Sequence, residues 1–167
     1  GKSDESERWD RTMVLAKIIS GGQTGADRGA LDAALALGLE HGGWCPLGRR
    51  AEDGEIPVRY RLTETDSAAY PVRTEKNLLY ADATLVVTLG ELGGGSALTH
   101  RLARRHGRPL LHVDLTLQSP EDEARRLRAW LQDHPIRVLN VAGPRESTCP
   151  GIAQVTERLL VSAIGAR

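Results

Sequence analysis

The chain has 167 residues, with 22 Lys plus Arg balanced by 22 Asp plus Glu, so its formal net charge is zero. That length suits one domain with an ordinary core. The charge balance argues against a broad basic surface for nucleic acid and against an acidic solvating tail. The apolar runs fall far short of the roughly 20 residues that cross a bilayer.

Residues 1–12 are polar and contain no apolar run of the signal-peptide kind. They read as a disordered or vector-derived leader, and 13–167 read as one domain. The two cysteines, Cys45 and Cys149, do not make a disulfide framework. With no export signal, a reduced, cytoplasmic setting is expected. Phe is absent and aromatics make up 4%, so the core must come from Ala, Leu, Val and Ile.

The first strand is expected over Ala16–Ser20, a short β-branched run. A Gly-rich turn follows, and then a helix over about Ala26–Leu37, with Gly38 placed to end it. A short strand is expected near Leu39–Gly43. Trp44–Ala69 reads as a long irregular loop, and long loops are more often functional than idle. A helix over Arg73–Asp82, with Thr74 as its N-cap, leads into Thr84–Leu89, the clearest buried strand in the chain.

Gly90–Ser96 is a second Gly-rich turn, and a helix follows over about Ser96–His106. Next come a strand over Leu110–Asp114 and a helix opened by Ser119-Pro120 that ends near Asp133. The last strand is expected over Ile136–Ala142 and runs into Gly143–Ser147. A final helix spans about Gly151–Ile164. This alternation predicts an α/β fold: a Rossmann-like, doubly wound, mainly parallel five-stranded sheet with helices on both faces. In such sheets ligands bind beyond the carboxyl ends of the strands. Both Gly turns and Gly143–Ser147 lie on that edge.

The first turn reads Gly21-Gly22-Gln23-Thr24-Gly25. It is neither the dinucleotide fingerprint nor a Walker loop. Its backbone N–H groups and the Thr24 hydroxyl suit a phosphate at a helix start. Asp27 is placed to cap that helix and Arg28 to reach a ligand. The alternative is a plain turn with no ligand.

The second turn, Gly93-Gly94-Gly95-Ser96, favours binding, because three glycines cost more backbone entropy than one turn requires. Ser96 reads as the cap of the next helix. Arg73 and Asn77, one helical turn apart, are candidate contacts from the loop edge. The five histidines, His41, His100, His106, His112 and His134, show no metal-ligand spacing and read as surface or loop residues, so no metal site is expected. Cys45 reads as a small buried hydrophobe, with ligand contact as the alternative. No nucleophile–base pair stands out. Asp27, Asp53, Glu55 and Glu75 are the carboxylates nearest the edge, and nothing in the sequence selects among them.

Four segments carry a family resemblance: Ile18–Ala34 (I-I-S-G-G-Q-T-G-A-D-R-G-A-L-D-A-A), His41–Gly54, Tyr70–Asn77 and Thr88–Ser96. In order, they resemble the putative molybdenum carrier family over most of Lys17–Asp114. That family sits in the SLOG superfamily of Rossmann-like proteins, beside the lysine decarboxylase-like phosphoribohydrolases and DNA-processing protein A. The resemblance implies a binding protein for a phosphorylated heterocycle, either a nucleotide or molybdenum cofactor, and a homo-oligomer. Two alternatives remain: a nucleotide N-glycosidase and a ligand-sensing regulatory domain. The phosphoribohydrolases carry P-G-G-x-G-T-x-x-E, and Leu92–Thr99 takes its place here. Arg73 matches their catalytic Arg, but Thr99 stands where their catalytic Glu would be. Thr cannot exchange protons near neutral pH, so the resemblance favours binding over hydrolysis.

Overall fold

The computed structural model describes residues 13–165, so the expected leader over 1–12 lies outside the described residues. In chain order the elements are β1 (Lys17–Ile19), α1 (Ala26–Leu37), β2 (Glu40–Gly42), β3 (Trp44–Cys45), β4 (Arg50–Ala51), β5 (Gly54–Glu55) and β6 (Thr63–Glu64). There follow α2 (Tyr70–Tyr80), β7 (Ala83–Thr88), α3 (Gly94–Arg105), β8 (Leu110–Asp114), α4 (Pro120–Asp133), β9 (Val138–Ala142) and α5 (Ile152–Gly165). The main sheet runs β2-β1-β9-β7-β8. Every pairing in it is parallel. The expected Rossmann-like α/β layout is therefore found.

The last strand enters the middle of the sheet. If β9 and α5 came first in the chain, the order would read 3-2-1-4-5, the first five strands of the doubly wound 3-2-1-4-5-6 nucleotide-binding sheet. The protein thus has that sheet with its chain cut at a different place. Loops leave the carboxyl edge in the same lateral order as the strands. The loop after β9 therefore lies between the two Gly turns rather than beside them.

All six residues of β7 are buried, as expected of a central strand covered on both faces. Leu85 and Val87 share a core with α1, α4 and α5, through Ala30, Leu127 and Leu160 among others. On the other face α2 packs on α3 through Leu78, Leu102 and Ala103. The helices α1 and α5 run very close, and a Cβ on Gly29 would sit 2.2 Å from the Ala153 carbonyl oxygen. Gly38 ends α1 with φ 69°, donating its N–H to Ala34 and Leu35. Ser119 caps α4, accepting the Asp122 N–H at 3.1 Å. Among the described residues no helix is long and apolar enough to cross a membrane.

Three elements start two or more residues away from expectation. The helix α2 starts at Tyr70, with Pro71 in its first turn, so Thr74 lies inside the helix and not at its cap. The Thr74 hydroxyl donates to the Tyr70 carbonyl at 3.0 Å. The helix α3 starts at Gly94, which puts Ser96 in its third position. The Ser96 hydroxyl reaches back, donating to the Gly93 carbonyl at 2.7 Å and accepting the Gly93 N–H at 3.2 Å. The last strand begins at Val138, two residues after the expected start.

The segment expected to be irregular is a built lobe. In it β3 pairs with β6, and β4 with β5 forms an antiparallel hairpin with Glu52-Asp53 at its tip. Leu31, Cys45, Ile56 and Tyr60 form a small core beneath. The Arg49 guanidinium donates to the carbonyls of Ile56, Pro57 and Tyr60, closing the loop onto itself. Cys45 is fully buried, and burial pushes its thiol pKa up, as befits the buried-hydrophobe reading.

Candidate functional site

The strand β1 delivers Ser20 to the carboxyl edge, where its hydroxyl donates to the Asp27 carbonyl at 2.8 Å and accepts the Gly22 N–H at 3.3 Å. These bonds fold the first Gly turn back onto the start of α1. Gly25, at φ 86°, lies against the loop after β9, and a Cβ there would meet the Pro144 carbonyl oxygen at 2.3 Å. The Ala26 N–H already donates to that carbonyl at 3.1 Å. One of the free N–H groups expected for an anion is therefore taken by Pro144.

Asp27 stands at the centre. It is 4% exposed, and its Oδ2 accepts the Gln23 N–H at 3.2 Å and faces Arg73 Nη1 at 3.5 Å. Burial raises its pKa above the usual aspartate value, against the pull of the Arg73 charge, the Gln23 N–H and the Arg145 and Arg28 charges. Gly21 has no side chain because Arg73 lies on its backbone: a Cβ there would fall 1.9 Å from Arg73 Nη1.

Arg73 is poorly satisfied. Its Nε is buried without a partner, as is Gln23 Oε1. Gln23 Nε2 donates to the Arg50 carbonyl at 2.8 Å. Arg145, from the loop after β9, lies over the Tyr70 ring at 4.6 Å, with Arg73 at 5.8 Å from the same ring. Among the described residues the Arg145 guanidinium donates no hydrogen bond. Two cations with spare donors thus flank a tyrosine and a buried carboxyl whose negative form burial disfavours. An arginine with unused planar donors suits a phosphate or carboxylate.

The other expected residues are placed differently. Arg28 donates through Nε to the Gly22 carbonyl at 3.1 Å and through both Nη atoms to Asp53, at 2.5 and 2.8 Å. Asn77 is 2% exposed, and its amide holds the Trp44 backbone, accepting its N–H at 2.8 Å and donating to its carbonyl at 3.0 Å. Both side chains are engaged in holding the Gly turn and the lobe. Thr24 hydrogen-bonds Glu52 and accepts the Glu146 N–H at 3.2 Å.

The second Gly turn is built by β7 and β8. Asp114 Oδ1 accepts the Gly90 N–H at 2.9 Å, and Thr88 Oγ1 lies 2.8 Å from His112 Nε2. His112 is therefore a half-buried strand residue rather than a surface one, and burial lowers its pKa. A Cβ added to Gly93, Gly94 or Gly95 would meet nothing within 4 Å. The Gly94 and Gly95 N–H groups find no acceptor among the described residues. The Thr99 hydroxyl is spent on the Gly95 carbonyl at 3.0 Å. No hydrogen bond or ion pair among the described residues links this turn to the Asp27–Arg73 group.

Sequence reasoning missed Arg145, Tyr70, Glu52 and Ser147. Arg145 had a usable signal: it follows the last strand on the predicted carboxyl edge. Tyr70 was hidden by the late start assigned to α2. A shallow depression of about 340 Å³ lined by Lys17, Glu40, His41 and Arg61 lies where β1 and β2 begin. It lies at the opposite end of the strands from Arg73 and Arg145. Among the described residues no group of three His, Cys, Asp or Glu side chains stands ready to hold a metal ion.

Among curated proteins none matches the chain. A solved structure described as "Putative molybdenum carrier protein", from Syntrophus aciditrophicus SB, is 48% identical. The match covers 90% of this chain and 96% of that one, with a TM-score of 0.89. Residues 18–164 match the family described as Circularly permutated YpsA SLOG. That description agrees with the strand order, in which the last strand takes the first strand's place. The chain belongs to the Circularly permutated YpsA SLOG family.

Proposed function

We propose that the protein binds a phosphorylated heterocyclic ligand, a nucleotide or the pterin of molybdenum cofactor, on the carboxyl edge of its sheet. One observation carries this reading: Arg145 and Arg73 converge on Tyr70 with most of their donors unused. A guanidinium that only stabilised the fold would be expected to spend its donors on carbonyls, as Arg49 does. The ligand's phosphate sits on the arginine pair. The unpaired N–H groups of Gly94 and Gly95, across the loop after β9, supply a second contact. The carrier name of the similar structure supports the pterin as one candidate. In that case the protein grips the phosphate end of the cargo.

The test is a thermal-shift and calorimetric screen of nucleoside monophosphates and phosphorylated pterins. Saturable binding is expected, and Arg145→Ala should weaken it about tenfold or more, since a hydrogen bond to a charged group is worth about 1.5–3 kcal/mol. An empty screen overturns the reading.

A second reading has its own observation. Thr99 leaves the hydrolytic carboxylate missing, yet Asp27 is a buried carboxyl with a raised pKa beside Arg73. Perturbed carboxyls in clefts are candidates for acid–base work. Release of free base from a nucleoside monophosphate, lost in Asp27→Asn, would establish an N-glycosidase. No release across the common monophosphates removes it.

A further inference from the structure

The tip of the β4–β5 hairpin lies over the first Gly turn, and its Glu52 carboxylate occupies an unusual place. It is hydrogen-bonded to the Thr24 hydroxyl, the Ser147 hydroxyl and the Ser147 N–H, the last at 3.2 Å. Those donors come from two loops that are distant in sequence and also meet where the Ala26 N–H donates to the Pro144 carbonyl. Thr24 accepts the Glu146 N–H at 3.2 Å, which turns its own hydroxyl proton outward toward Glu52. The arrangement is therefore a preformed cluster of donors around one oxyanion.

Glu52 adds nothing to the core, being exposed at a two-residue turn. Besides Glu52, the tip is held by Asp53 on Arg28, a pair whose Asp53 side chain is 48% exposed. Arg28 is only 12% exposed and grips Asp53 with both Nη atoms, so this pair must open together with Glu52 when the tip lifts. Farther from the tip, the Arg50 carbonyl accepts from Gln23. Arg145 stands two residues before Ser147 on the same loop, and its charge acts on both Glu52 and Asp27.

Resting on the reading above, we propose that Glu52 is an internal stand-in for a ligand's phosphate, and that the hairpin is a lid that leaves when the phosphate held by Arg145 also takes Glu52's place on Thr24 and Ser147. A phosphate accepts from the same donors as a carboxylate, with more charge and one more terminal oxygen. While Glu52 is seated, only the fraction of molecules with the hairpin lifted can bind, and the apparent affinity falls by that fraction.

The test titrates inorganic phosphate by calorimetry into the wild-type protein, Glu52→Ala, Glu52→Gln and the double variant Glu52→Ala/Ser147→Ala. Glu52→Ala should bind about five- to tenfold more tightly than wild type. Glu52→Gln, which keeps the shape of the side chain, should lie between the two. The double variant should lose the gain. In the wild type, phosphate should speed amide exchange over residues 50–55. Equal or weaker binding by Glu52→Ala, a gain retained in the double variant, or no phosphate binding by any variant overturns the lid. The binding function fails on a different result, an empty nucleotide and pterin screen. A positive screen with unchanged Glu52→Ala affinity removes the lid alone.

Discussion

At the first glycine turn a Cβ on Gly21 would lie 1.9 Å from Arg73, and one on Gly25 would lie 2.3 Å from Pro144, whereas a Cβ on Gly93, Gly94 or Gly95 would meet nothing within 4 Å among the described residues. The first turn needs glycine so that an arginine and a neighbouring loop can press onto its backbone. The second turn has no such neighbour, and its glycines leave α3 uncovered at its N-terminus. Two segments of similar composition therefore serve different ends. One is packed to position side chains, and the other is left bare.

The largest expected effect breaks the first turn. Gly25→Ala combines φ 86° with a clash against backbone atoms of Pro144 and Glu146. It should destabilise the fold by roughly 3 kcal/mol or more, read from urea denaturation. A loss under about 1 kcal/mol would mean that the loop after β9 moves freely and does not brace the turn.

Next comes the arginine that the first turn helps to surround. Arg145→Ala should cut ligand affinity about tenfold or more while changing stability by no more than about 0.5 kcal/mol, because its guanidinium donates no hydrogen bond among the described residues. Equal losses of stability and affinity would assign it a structural role.

Asp27 gives a pH signature. An unfolded aspartate titrates near 3.9, and burial raises the folded value above that. Between the two values the folded state holds more protons. Stability from this group is therefore full below about pH 4 and falls as pH rises through the folded value. Melting curves of Asp27→Asn should lack that fall. An identical pH slope in the variant would show that Asp27 is not the group responsible.

The smallest effect has the opposite sign. Gly95 lies in the first turn of α3 with open space around it. Gly95→Ala should raise stability by a few tenths to about 1 kcal/mol. It should also weaken ligand binding about two- to threefold by covering the bare N–H groups, a trade of function for stability. A stability gain with unchanged affinity would detach the second turn from the site.

Much of the fold was legible because its signals are local. The apolar runs that became β1, β7 and β8 and the Ser119-Pro120 start of α4 each declare themselves within a few residues. The lobe over 44–69 did not, because strands of two residues are too short to show a period, and Arg49 holds them by bonds spread over several carbonyls. The central position of β9 was hidden for another reason. Strand order is a long-range choice, and nothing within I-R-V-L-N-V-A records its neighbours.

The site was half legible on the same grounds. The Gly turns and Arg73 stood out by composition and position. Arg145, Tyr70 and Glu52 acquire meaning only when distant loops meet. Arg28 and Asn77 looked available because their partners, Asp53 and the Trp44 backbone, lie more than twenty residues away in sequence.

The most direct test is calorimetric titration of the tightest nucleoside monophosphate or phosphorylated pterin from the screen into wild-type protein and Arg145→Ala. One-to-one binding that weakens about tenfold or more in the variant, at unchanged melting temperature, is the predicted result. No saturable binding by the wild type, or equal affinity in the two proteins, would contradict the placement of a phosphorylated ligand on the arginine pair.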